Sequence, residues 1–186
     1  MSLLLASASP RRRDLLLNAG VAFEVFSADI DETPLKKEAP KDLVKRLAIK
    51  KAEAALAEAK TRGLKAILAS DTTVALGLTI LNKPTDDKDA ERMLRALSGK
   101  IHAVHTGVCV LDVRTGKAKS FVVSTKVKFR KLNRADVARY LATGEGRDKA
   151  GAYAVQGIGA ALIEWLEGSY TNVIGLPLQE TLQALP

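Results

Sequence analysis

Along its 186 residues the chain alternates short, wholly apolar runs with longer stretches of mixed character. Residues 2–6 are too few for a helix and predict a buried strand. Small polar residues then lead to Pro10, which suits a first helical turn because its missing N–H would be unpaired there anyway. The helix through Leu15, Leu16 and Leu17 should stop near Gly20. Residues 23–27 predict a second strand, followed by an acidic loop over 28–34. From Pro40 to Arg62 the chain is rich in Ala, Leu, Lys and Glu with no internal Gly or Pro, which predicts one long helix. Its apolar stripe, set by Leu43, Leu47 and Ala55, has Lys51 in the middle.

Residues 66–73 read as a buried strand ending in Ser70-Asp71-Thr72-Thr73. Thr85 or Asp86 can cap a helix to Leu97, closed at Gly99. Residues 101–113 and 117–130 predict a long hairpin turning at Arg114-Thr115-Gly116. Asn133 can cap a helix to Ala142. Beyond it come an apolar strand at 160–166, a turn at 168–172 and a last helix from Pro177. Strands and helices alternate without repeats or linkers, so the class is α/β, one domain over 1–186 built on a mixed sheet.

Composition narrows the setting. Cys109 is the only cysteine, which excludes an internal disulfide and a multi-cysteine zinc site and points to a reducing, cytoplasmic compartment. The N-terminal apolar run precedes its charges, the reverse of a secretory signal, and no stretch reaches a membrane span. Lys and Arg number 29 against 21 Asp and Glu, so an anionic partner is expected. That partner could be nucleic acid, an anionic membrane or a phosphorylated small molecule, and eight aromatics, none interleaved with basic clusters, argue against the first.

Several positions can carry chemistry. Ser7-Ala8-Ser9-Pro10-Arg11-Arg12-Arg13 brings hydroxyls, a helix N-terminus and guanidinium groups together, a phosphate-binding pattern, although a solvated basic turn would read the same way. Lys51 on an apolar face either snorkels to water or meets a ligand's negative charge. Asp71, placed where an apolar strand ends, can accept a proton from water or coordinate a hard cation. Glu32 could supply a second carboxylate. Lys83, held extended by Pro84, can present an ammonium. His102 and His105 are three apart in a strand and point to opposite faces, so they form no metal pair.

These segments together resemble a known family, the Maf nucleoside triphosphate pyrophosphatases. The matching stretches run from Ala6-Ser-Ala-Ser-Pro-Arg-Arg12 through Leu47-Ala-Ile-Lys-Lys51, Ser70-Asp-Thr-Thr-Val74, Asn82-Lys-Pro84, Leu97-Ser-Gly99 and Thr106-Gly107. They continue in Asp148-Lys-Ala-Gly-Ala-Tyr-Ala-Val-Gln156-Gly and Gly168-Ser-Tyr-Thr-Asn172-Val-Ile-Gly-Leu-Pro177. Ser70 and Asn82 depart from the family's commoner small residues without removing a charge. The resemblance implies an elongated mixed sheet flanked by helices, like that of inosine triphosphate pyrophosphatases, with two lobes around a cleft.

It also implies hydrolysis of a nucleoside triphosphate to monophosphate and pyrophosphate with Mg²⁺ or Mn²⁺, held by Asp71 and Glu32. Asp71 matches the family's proton acceptor. Arg11, Thr72 and Gln156 match the subgroup acting on dTTP and UTP, with modified pyrimidine triphosphates as further substrates. Ser7, Arg12, Lys51 and Lys83 complete the expected substrate contacts, and a homodimer is implied. The alternative is a non-catalytic regulator of septum formation that binds nucleotide or nucleic acid.

Overall fold

The computed structural model describes residues 2–27 and 29–186; Met1 and Ala28, the first residue of the acidic loop, lie outside them. The strands are β1 (Leu3–Ala6), β2 (Glu24–Phe26), β3 (Ala66–Leu76), β4 (Thr79–Leu81), β5 (Ile101–Asp112), β6 (Ala118–Phe129) and β7 (Ile163–Glu167). They form one mixed sheet in the order β2-β1-β3-β5-β6-β7, with β4 paired to β3. The pairs of β1 with β2 and β3 are parallel, and the others are antiparallel. The helices are α1 (Pro10–Asn18), α2 (Pro40–Ala54), α3 (Leu56–Thr61), α4 (Asp87–Leu97), α5 (Arg134–Ala142), α6 (Tyr170–Ile174) and α7 (Leu178–Ala184). The expected α/β class with an elongated mixed sheet flanked by helices is what the chain adopts.

Strand alternation decides which helix covers what. On one face, Ile67, Ala69, Cys109 and Leu111 pack against Ala48, Ala52 and Ala55. There α2 lies across β3, β5 and β6, and it comes so close that a methyl on Gly107 would sit 2.2 Å from the Val44 carbonyl oxygen. The opposite face carries two separate cores. Leu68, Val108 and Val110 pack with Leu16 and Leu176, whereas Val74, Val104 and Phe129 pack with Leu94, Leu97 and Tyr140. Ser70, Thr72 and Thr106 form a polar band between them on the sheet.

Caps follow the sequence signals. Asp86 accepts the Asp89 N–H at 2.7 Å, and Asn133 and Asp136 form a reciprocal capping box. The turn expected over 168–172 winds into α6 instead, and three boundaries differ from expectation. The helix over 40–62 tightens at Ala55, whose φ of −85° and ψ of −5° stay near helical values, so α2 and α3 continue one buried alanine stripe. Residues 157–162 form a 3₁₀ turn, starting at Gly157 with φ +67°, so the last strand begins only at Ile163.

The third difference matters most. β3 does not stop at Thr73 but runs to Leu76, because β5 pairs with it continuously from Ala66 to Ala75. On its other edge β1 pairs only as far as Ala69 and β4 only from Val74. Asp71 therefore stands in mid-strand, at a gap in the sheet between β1 and β4.

Candidate active site

The gap opens into a cavity of about 530 Å³, within the size range that takes a small-molecule ligand. Because the gap interrupts the sheet, both faces contribute to its walls. Ser7, Arg11, Arg12, Glu32, Lys51, Asp71, Thr72, Lys83 and Gln156 all line it, which brings together every residue to which the family resemblance assigned a site role.

The first wall is the turn from β1 into α1. Ser7 Oγ accepts the Ser9 N–H at 3.2 Å, which sets the loop before Pro10. Arg12 points inward and is 9% exposed. It donates through Nε to the Gly175 carbonyl at 2.8 Å, through Nη1 to Ser7 Oγ at 3.0 Å and through Nη2 to Thr72 Oγ1 at 3.1 Å. Three of its five donors thus tie α1 to the turn after β1, to β3 and to the end of α6. Burial pulls its guanidinium below the ordinary value, with the negative charge of Asp71 opposing the shift. Arg12 therefore acts first as a brace across the polar band. Arg11, on the exposed side, bonds Asp148 Oδ2 at 3.3 Å across the cleft. α1 has no acidic residue in its first turn, so its positive dipole end faces the cavity beside these arginines, an arrangement suited to an anion.

The second wall is the face covered by α2. Lys51 does not snorkel: it is 9% exposed, and its Nζ lies 2.7 Å from Asp71 Oδ1 and 2.6 Å from Glu32 Oε1. Asp71 Oδ2 has no hydrogen-bond partner among the described residues. Glu32 reaches this cluster from the acidic loop, and the loop is itself anchored. Arg46 donates to Glu38 at 2.6 and 2.7 Å and to the Thr33 carbonyl at 3.1 Å, while Asp31 Oδ1 accepts the Thr33 N–H at 2.9 Å. The fork from Arg46 holds the Glu38 carboxyl below its usual range. Nothing local marks Arg46 for this role, because its partners lie on a loop whose path only the fold defines.

The third wall is the segment 148–156. Gly151 and Ala152 both adopt left-handed backbone, at φ 71° and 59°. A Cβ on Gly151 would press to 3.0 Å on Val74, so only glycine fits there. Ala152 carries about 1–2 kcal/mol of backbone strain, and this double turn delivers Lys149, Tyr153 and Gln156 to the cavity. Lys149, which the sequence reading quoted without a role, bonds the Glu145 carbonyl and Asp148 Oδ1, at 2.5 and 2.6 Å. Gln156 and Lys83 are exposed within the cleft. Asn172 supports the polar band from beneath, donating to the Val104 carbonyl at 3.1 Å and to Thr125 Oγ1 at 3.0 Å.

The histidines take no part. His102 and His105 lie on opposite faces of β5 and both are buried; His102 stacks edge-on with Phe129 and Tyr153. Burial pushes the Cys109 thiol up to about 11, so it is inert at neutral pH. Among the described residues no group of three or more His, Cys, Asp and Glu is placed to hold a metal. The donor set is instead the pair Asp71 and Glu32, converging on one cation position. One or two carboxylates completed by phosphate oxygens and water is how a hard, hydrated divalent cation is usually held in phosphate chemistry, so these residues fit such an ion.

Comparison with known proteins agrees over the full length. The family described as Maf-like protein matches residues 2–186. A dTTP/UTP pyrophosphatase of Shewanella oneidensis is 47% identical, over 100% of this chain and 97% of that protein. One of Sphingopyxis alaskensis is 50% identical over 97% and 93%, and one of Anaeromyxobacter dehalogenans 49% over 98% and 92%. Among solved structures, the Staphylococcus aureus Ham1 protein aligns over 96% of this chain and 86% of its own, with a TM-score of 0.49 and 15% identity, a partial likeness that carries no functional argument.

Proposed function

Because the chain belongs to the Maf family, we propose that it hydrolyses pyrimidine nucleoside triphosphates, dTTP and UTP first among them, to monophosphate and pyrophosphate in this cleft. The observation that carries the reading is the Asp71–Lys51–Glu32 cluster, a carboxylate pair held around an ammonium in a cavity otherwise rich in cations. A pure polyanion binder has no use for carboxylates at that point. Curated relatives with that activity in their names, similar over nearly the whole chain, support the same reading.

In the proposed mechanism the triphosphate enters along the α1 N-terminus, where Arg11 and the backbone N–H groups meet its oxygens, with Lys83 from the opposite wall. Asp71 uses its unpartnered oxygen to orient a water and take its proton as the water attacks the α-phosphorus. The bond from the α-phosphorus to the bridging oxygen breaks, and pyrophosphate leaves with that oxygen. Lys51 pairs with Asp71 before substrate enters and lies close enough to compensate phosphate charge as it builds. Asp71 and Glu32 would hold Mg²⁺ or Mn²⁺, which when bound supplies further neutralisation of the triphosphate oxygens. Gln156 and Thr72 face the base and ribose end. The Gln156 amide both donates and accepts, which matches the N–H and carbonyl edge of a pyrimidine.

The experiment is pyrophosphate release from a panel of canonical and modified triphosphates with Mg²⁺ or Mn²⁺. Release from dTTP and UTP ahead of purine triphosphates is expected. Binding without release from any of them would overturn the enzyme reading and favour the regulator.

A further inference from the structure

The charges around the cavity bear on the order in which its ligands arrive. Arg11, Arg12, Lys51, Lys83 and Lys149 line it. Against these five cations stand three carboxylates, Glu32, Asp71 and Asp148, leaving a surplus of two positive charges among the described residues. The two carboxylates suited to a divalent ion are also the two that Lys51 Nζ bridges, at 2.7 and 2.6 Å. Lys51 and Asp71 are both buried, so water screens their contact poorly, whereas the Glu32 side chain is 54% exposed and its contact is the looser arm of the bridge.

We infer that Lys51 occupies the cation position of the free protein and excludes a divalent ion from it, so that the true substrate is the preformed metal–triphosphate complex. This rests on the reading of Asp71 and Glu32 as the metal-holding pair. A divalent ion arriving alone meets a positive cavity and an ammonium already paired to both carboxylates. A triphosphate carries a charge near −4 and its complex with a divalent ion a charge near −2, which offsets the surplus. The complex also gives Lys51 new partners, because phosphate oxygens can take over the ammonium as the ion takes over the carboxylates. Exchange of one set of charge-assisted bonds for another keeps every buried charge paired throughout.

The test is direct binding of Mn²⁺, read by the loss of the free-ion electron paramagnetic resonance signal on titration with protein. Wild-type protein without nucleotide should bind Mn²⁺ weakly. Lys51→Met, similar in length and apolar, should tighten nucleotide-free binding at least ~10-fold, since it removes a unit charge a few ångströms from the ion. Lys51→Gln, which keeps a polar end, should give the same result and serves if the Met variant fails to fold by circular dichroism. Adding Glu32→Gln to Lys51→Met should reverse the gain. With a triphosphate whose α–β bridging oxygen is replaced by methylene, the wild type should bind Mn²⁺ tightly.

Equal nucleotide-free Mn²⁺ binding by wild type and both Lys51 variants would overturn the exclusion while leaving the metal site standing. Absence of Mn²⁺ binding by every form, even with the analogue, would overturn both the exclusion and the metal-holding pair.

Discussion

Gly107→Ala isolates the contact that places α2, and with it Lys51, over the sheet. An added Cβ would sit 2.2 Å from the Val44 carbonyl oxygen, 2.4 Å from the Val44 carbonyl carbon and 2.8 Å from the Lys45 nitrogen. A carbon–oxygen contact needs about 3.3 Å, so the backbone of α2 must retreat by roughly 1 Å; these are backbone atoms that no rotamer change can move. Gly107 sits in the interior of β5, where alanine is intrinsically better than glycine by about 0.5–1 kcal/mol. That term opposes the clash, so the net destabilisation is a lower bound on the clash. Overpacking of this kind costs about 1–3 kcal/mol or more. In a chain of this size that lowers Tm by about 2–12 °C.

The retreat also acts on the site. Gly107 is the cross-strand partner of Asp71 and shares its face, so lifting α2 stretches the 2.7 Å contact from Lys51 to Asp71. Turnover should fall by at least ~10-fold, on the scale that a misplacement of about 1 Å exacts. Thermal melting by circular dichroism and pyrophosphate release at 25 °C, well below both transitions, measure the two effects separately. A Tm within about 2 °C of wild type together with unchanged turnover would show that α2 is not seated as described.

Other perturbations follow from particular contacts. Asp71→Asn keeps shape and can still accept from Lys51, yet it should lower kcat by at least ~10² while leaving the melt cooperative; near-wild-type turnover would remove Asp71 as the base. Gln156→Ala should flatten preference among triphosphates more than it slows the best one, and an equal loss on all of them would contradict a base-reading role. Arg12→Lys keeps the charge but cannot reach Ser7, Thr72 and Gly175 together, so it should cost about 2 kcal/mol and lower turnover; full rescue of both by lysine would mean that charge alone matters there. Burial holds His102 near 4, below its ordinary 6.5. The unfolded chain binds that proton below about 6.5 and the folded chain only near 4. This contribution, about 3 kcal/mol, is therefore complete above 6.5 and is lost as pH falls toward 4. In a series of melts His102→Gln should flatten that part of the curve, and an unaltered slope would refute the assignment.

Hydrophobic runs, caps and turn glycines fixed the order and type of nearly all elements. They could do so because an apolar period, an N-cap hydroxyl or carboxylate and a left-handed glycine act within a few residues of one another. The residues that line the candidate site were legible for a related reason. A cation in an apolar stripe, as at Lys51, or a carboxylate within an apolar strand, as at Asp71, is costly unless something distant compensates it.

What compensates it was decided only in three dimensions. Strand length was misjudged at Asp71 because β3 is prolonged by pairing with β5, a partner some forty residues away, and the gap that makes the cavity exists because β1 and β4 are both too short to meet along one edge. The sequence could mark Arg12 as a cation but not as a brace, and it gave no sign that Arg46 anchors the loop bearing Glu32. Each of those roles depends on acceptors supplied by separate segments. Local sequence sets local conformation and flags unpaired charge, whereas the partners those charges find, 20 to 163 residues away, depend on which strands and helices the whole chain brings side by side.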